Sequence, residues 1–137
     1  MANPRIEKCD DAGYKWKLME DFQFAMPLLG CSVYSRYIEL DGGGIVTIKK
    51  GYRWDGASGP TIDTPNVRTP SMVHDAFYQL IRTRRIPYEW KTYADNTLFI
   101  MLQEDQTDWE GNYIEGMGGF RARIWKMGVM MFGGFNL

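Results

Sequence analysis

The apolar positions divide the chain into a β-like first half and a helical second half. Phe22-Gln-Phe24 alternates, Ser32-Val-Tyr-Ser-Arg-Tyr-Ile38 is β-branched and aromatic, and Ile45-Val-Thr-Ile48 is a short apolar run. Such segments, bounded by turn residues, read as strands. Asp41-Gly-Gly-Gly44 between the last two suits a hairpin turn. It has no following lysine–serine pair and no strand-to-helix setting, so it does not read as a phosphate loop. Residues 1–20 are polar with scattered aromatics (Tyr14, Trp16), which predicts a loose lead-in or an edge strand.

The second half changes period. Thr69-Pro70 is a good helix opening, with threonine as cap and proline at the first helical position. Met72, Val73, Ala76, Phe77, Leu80 and Ile81 then recur at helical spacing, and Arg82, Arg84 and Arg85 follow before Ile86-Pro87 breaks the pattern. A second helix is predicted from about Tyr88 to Gln103, packing through Ala94, Leu98, Met101 and Leu102. Asp105 to Asn112 reads as a polar turn, and a third helix occupies roughly Gly119 to Met131 before Gly133-Gly134. Strands first and helices afterwards predict an α+β fold, a small antiparallel β-sheet followed by two or three helices. The organisation expected is a single domain, 1–137, with a lead-in (1–20), a β-rich part with a loop (21–68) and a helical part (69–137).

Composition narrows the function classes. Sixteen basic and seventeen acidic residues give a net charge of −1, which argues against a strongly basic nucleic-acid binder, so no nucleic acid is expected as a partner. Cys9 and Cys31 lack the spacing of a zinc or redox pair and read as free buried thiols rather than a disulfide. Neither a signal peptide nor a transmembrane segment is legible, so the expected location is a cytoplasm, unless a lysis system or a virion carries the chain out. The chain is rich in large side chains, 15% aromatic with nine methionines. In the third helix Phe120, Ile124, Met127 and Met131 recur at helical spacing, with Trp125, Val129 and Phe132 beside them and Arg121, Arg123 and Lys126 supplying charge. Either this is an internal helix packed on both sides, or Trp125 and Phe132 belong to a contact surface. The partners of such a surface would be another protein, a second copy of the chain or, in second place, a lipid interface.

Candidate chemistry gathers around Arg68-Thr-Pro-Ser-Met-Val-His74-Asp75-Ala-Phe-Tyr78, which holds the single histidine. On a helix His74 and Tyr78 share a face, while Asp75 points about 100° away. The carboxylate that orients His74 must come from elsewhere, and Asp95 on the next helix is the candidate. An aspartate accepting from the far ring nitrogen fixes the tautomer and makes histidine a base near neutral pH. The same letters also describe a satisfied polar cluster that locks two helices together. One imidazole excludes a multi-histidine zinc centre; oxygen donors such as Asp75 and Asp55 suit a hard cation, calcium above all. Asp55 lies in Trp54-Asp-Gly-Ala-Ser-Gly-Pro60, where glycines at 56 and 59 permit inward-pointing carbonyls; alternatively Trp54 is a core anchor and Asp55-Gly56 a plain turn.

Two resemblances rest on these residues. Trp54-Asp-Gly-Ala-Ser-Gly-Pro60, Arg68-x-Pro-Ser-x-x-His-Asp-x-x-Tyr78, and Ala94-Asp95 followed by Phe99 resemble a family of tailed phages and prophages whose function is unassigned. Its pattern is D-G-A-S-x-P, a helix with S/A-x-x-H-D-x-x-Y, an A-D helix, and a closing amphipathic segment, here ending at Met131-Phe-Gly-Gly134. The likeness spans about Gly51 to Gly134 and implies a phage source, and with it a host cytoplasm or virion as the location and other phage proteins as partners. More narrowly, H-D-x-x-Y with a later A-D-x-x-F is similar to the core of calcium-dependent phospholipases of the A-two class, chiefly their disulfide-poor microbial and viral-capsid forms. That likeness implies His74 as the base activating water, Asp95 as the carboxylate orienting it, Tyr78 as a hydrogen-bond partner of Asp95, and Asp75 as a calcium ligand. Those enzymes hold calcium with a Y-x-G-x-G loop, whereas Tyr52 here is followed by Arg-Trp-Asp-Gly56. The expectation is therefore a small hydrolase, conceivably of lipid esters; the competing expectation is a non-enzymatic virion or assembly component.

Overall fold

The computed structural model describes residues 1–9, 13–55 and 64–132, with side chains as far as 128. The fold is α+β, with three antiparallel sheets and three helices among these residues. Contacts gather the chain into two compact units, Pro4–Asp55 and a helical unit made of Met1–Asn3 with Gly56–Leu137.

In the β unit, strands β1 (Ile6–Lys8), β2 (Trp16–Leu18) and β7 (Arg53–Trp54) form one sheet in the order β1-β2-β7. Strands β3 (Phe22–Ala25), β4 (Val33–Tyr34), β5 (Ile38–Leu40) and β6 (Ile45–Ile48) form a second in the order β3-β6-β5-β4. The lead-in therefore supplies two regular strands. Pairing sets Ile38 opposite Ile48 and Leu40 opposite both Val46 and Val33, and all five are buried. Their alternate neighbours Tyr34 and Ile45 are exposed, as the two-residue period of a strand requires. Trp16 pairs with Trp54, and both are buried, which makes Trp54 a core anchor. Each such side chain contributes roughly 1.5–3 kcal/mol by leaving water.

The run Ser32–Ile38, expected as one strand, instead makes two strands joined by a tight turn. The Ser35 hydroxyl accepts the Ile38 amide at 3.3 Å and donates to its carbonyl at 2.5 Å, so a side chain supplies the bonds that would otherwise continue a ladder. The Asp41–Gly44 turn is present as expected. Asp41 Oδ1 accepts the amides of Gly43 and Ile45 at 2.9 and 3.0 Å, and Gly44 has φ +86° with the Met26 carbonyl where a Cβ would stand. Cys9 and Cys31 are thiols rather than a disulfide, each half-buried rather than fully buried.

The helical unit contains α1 (Arg68–Arg82), α2 (Trp90–Gln103) and α3 (Gly119–Phe132), with the short hairpin β8 (Gln106–Thr107) and β9 (Tyr113–Ile114) in place of the expected polar turn. Asp108 Oδ1 shapes that hairpin by accepting the amides of Glu110 and Asn112 at 2.9 and 2.8 Å. Ala2 forms a parallel bridge to Thr107 on the other edge. Thr69 does not cap α1. A 3-10 turn, Pro65–Val67, leads directly into the helix, so Thr69 lies inside it, fully buried, with its hydroxyl unpaired.

Helix α1 stops before Pro87 for a backbone reason. Arg85 N–H bonds Leu80 C=O at 2.8 Å, Arg84 N–H bonds Ile81 C=O at 2.9 Å, and Arg84 takes φ +59°. This is a Schellman end with arginine where glycine is usual. Helix α2 packs on α1 along one side and on α3 along the other. The latter contact is an apolar cluster of Val67, Leu98, Leu102, Met117, Ala122 and Trp125. No helix among the described residues is long and apolar enough to cross a membrane.

Candidate functional site

Helices α1 and α2 meet through a buried polar cluster. The short connection after α1 returns the chain antiparallel, which brings Asp95 opposite the His74–Tyr78 face. His74 Nε2 lies 2.8 Å from Asp95 Oδ1, the Tyr78 hydroxyl donates to the same oxygen at 2.5 Å, and Lys91 Nζ donates to Oδ2 at 2.9 Å. The hydrogen bond expected between His74 and Asp95 is thus present, and so is the Tyr78–Asp95 bond. The His74 and Tyr78 rings lie 4.0 Å apart, centre to centre.

Exposure is graded across the cluster: the side chains of Asp95, His74 and Asp75 are 3%, 6% and 36% accessible. His74 Nδ1 faces Asp75 Oδ1 at 4.0 Å, too far for a hydrogen bond and close enough for the charges to interact. The ring thus runs from a buried carboxylate at one nitrogen to a half-exposed carboxylate at the other.

The electrostatics follow from this geometry. Burial disfavours charge on His74, but Asp75 and Asp95 outweigh it and raise the imidazole above its ordinary value. Burial also opposes ionisation of Asp95, yet the bonds from His74, Lys91 and Tyr78 prevail and hold its carboxyl below the usual range. Burial and the bond to Asp95 raise the Tyr78 phenol far out of reach, so it remains a donor. An ionised carboxylate is acceptor-only, so neutral His74 carries its proton on Nε2 and leaves Nδ1 as the basic atom.

Lys91 is the member of the cluster that sequence reasoning missed. It stands four residues before Asp95 on α2, and its ammonium also lies over the Tyr78 ring at 5.6 Å. The four-residue spacing of opposite charges on one helix was the signal that could have found it.

Asp75 and Asp55, the metal ligands expected from sequence, belong to different units of the chain. Among the described residues no three His, Cys, Asp or Glu side chains gather to hold a metal ion. Asp75 sits beside His74 on α1, and Asp55 is exposed at the end of the β unit, after β7. The remaining donors, in the loop at 56–60, lie outside the described residues. The described donors fall short of the six to eight oxygens that calcium takes, so no calcium step is drawn from them.

No family model matches the chain, and neither a curated protein nor a solved structure matches it.

Proposed function

We propose that the chain is a phage-encoded hydrolase whose proton-handling site lies between α1 and α2. His74 is the base, accepting at Nδ1 the proton of an attacking water; Asp95 orients the ring and balances the imidazolium; Tyr78 and Lys91 hold Asp95 in place. The observation that carries this reading is the 2.8 Å bond that turns Nε2 toward the most buried carboxylate and Nδ1 toward the half-exposed Asp75. The motif likeness to phage proteins and to phospholipases of the A-two class supports the phage source and an ester, lipid esters first, as substrate.

A direct assay tests it. The full chain is offered nitrophenyl esters and phospholipid vesicles, with and without added calcium. Turnover is expected, and His74→Gln should abolish it while the protein stays folded. Silence on every ester and cation condition would overturn the hydrolase reading.

A second reading has its own observation. His74 is only 5% exposed and Asp95 has both oxygens hydrogen-bonded, by three donors in all, the condition of a helix lock in a non-enzymatic virion or assembly component. In that case His74→Gln lowers the melting temperature and no substrate is turned over.

A further inference from the structure

Helix α3 presents an apolar face that the fold leaves uncovered. Phe120, Ile124 and Met127 are 81%, 42% and 55% exposed. Their spacing places them within about 60° of one another around the helix. On the opposite side Ala122 and Trp125 are 0% and 4% exposed, so the core takes its contacts there and spares the first three. The charge on α3 is one-sided. Arg121, Arg123 and Lys126 are its three ionisable side chains and none is acidic, although the whole chain carries −1. Lys126 lies over the Phe99 ring and Arg121 donates to Thr64, whereas Arg123 is exposed at the edge of the apolar face. No acid stands in the first turn, where the helix dipole favours one, and arginines stand there instead. Arg123 alone of the three stands exposed beside the apolar stripe, where an external anion can pair with it.

We propose that this face docks on an anionic lipid surface, with Phe120, Ile124 and Met127 entering the headgroup–acyl boundary and Arg123 meeting the phosphates. The inference does not rest on the hydrolase reading, because α2 separates this face from the His74 cluster and docking needs no turnover.

The test is flotation of the full chain with vesicles of phosphatidylglycerol and phosphatidylcholine in equal parts, against phosphatidylcholine alone. Binding to the anionic vesicles is expected, weakened by salt. The pair Phe120→Ser and Met127→Ser should reduce it at least about tenfold, and Arg123→Gln about fivefold, with melting temperatures unchanged because these side chains are exposed. His74→Gln should bind as the parent does, whatever its activity. Three results would overturn the proposal: no binding at low salt, equal binding by the serine pair, or a drop in melting temperature in the serine pair. So would a dimer in sedimentation velocity that the serine pair dissociates, which would assign the face to a second copy.

Discussion

Helix α2 makes two interfaces of opposite chemistry. Toward α3 it offers Leu98 and Leu102 to an apolar cluster that includes Trp125; toward α1 it offers Asp95, which takes three hydrogen bonds in a buried setting. The apolar side is held by non-directional contacts, so losses there scale with the volume removed. The polar side is held by groups that each depend on the others, because a buried charge without its partners costs more than the pair contributes. One helix thus carries a tolerant face and an intolerant one, and only the intolerant face can move a proton.

The largest effect should come from Asp95→Ala, which strands Lys91, His74 and Tyr78 together. It should cost about 3–5 kcal/mol in denaturant unfolding. Leu102→Ala should cost about 2–5 kcal/mol on the apolar side. If Asp95→Ala were the milder of the two, the contrast between the faces would be lost.

Tyr78→Phe removes one donor to a carboxylate that keeps two others, and should cost about 1.5–3 kcal/mol. A double-mutant cycle of Tyr78→Phe with Lys91→Met should show coupling, whereas Tyr78→Phe with Leu102→Ala should be additive. Additivity within the polar cluster would mean that its members act singly.

Of the two faces of α2, only the polar one should make stability depend on pH. His74 is raised in the folded protein, so its contribution is complete below the ordinary value of 6.5 and is lost as pH rises through the folded value. Asp95 is lowered, so its contribution is complete above the ordinary 3.8 and is lost as pH falls through the folded value. The loss on the alkaline side should vanish in His74→Gln, while the acid-side loss remains. Thermal melts across pH check both limbs.

The smallest effect lies at the end of α1. Arg84 sits at φ +59° in a position suited to glycine, so Arg84→Gly should stabilise the protein by about 1 kcal/mol. A destabilised variant would mean that the arginine side chain, rather than the backbone, holds that end.

Much of this was legible from local pattern. The α+β order, the Asp41–Gly44 hairpin and the approximate extents of all three helices follow from periodicity and turn chemistry, which act over a few residues. The His74–Asp95 pairing was legible as well, because two helices joined by a short connection must pack antiparallel and a lone buried histidine needs a partner. Other features were decided by packing at a distance. Thr69 had the credentials of a cap, yet the turn at Pro65–Val67 started the helix earlier and left the hydroxyl buried and unpaired. Ser32–Ile38 read as one strand because neither glycine nor proline interrupts it, and only the Ser35 hydroxyl shows where it folds back. Neither alternative for α3, an internal helix packed on both sides or a contact surface with Trp125 and Phe132, foretold the outcome: Trp125 is buried while Phe120, Ile124 and Met127 face outward; the side chain of Phe132 lies outside the described residues. A helix apolar on nearly every side carries no instruction about which side faces in. That choice was made by α2, whose Leu98 and Leu102 lie in the same cluster as Ala122 and Trp125.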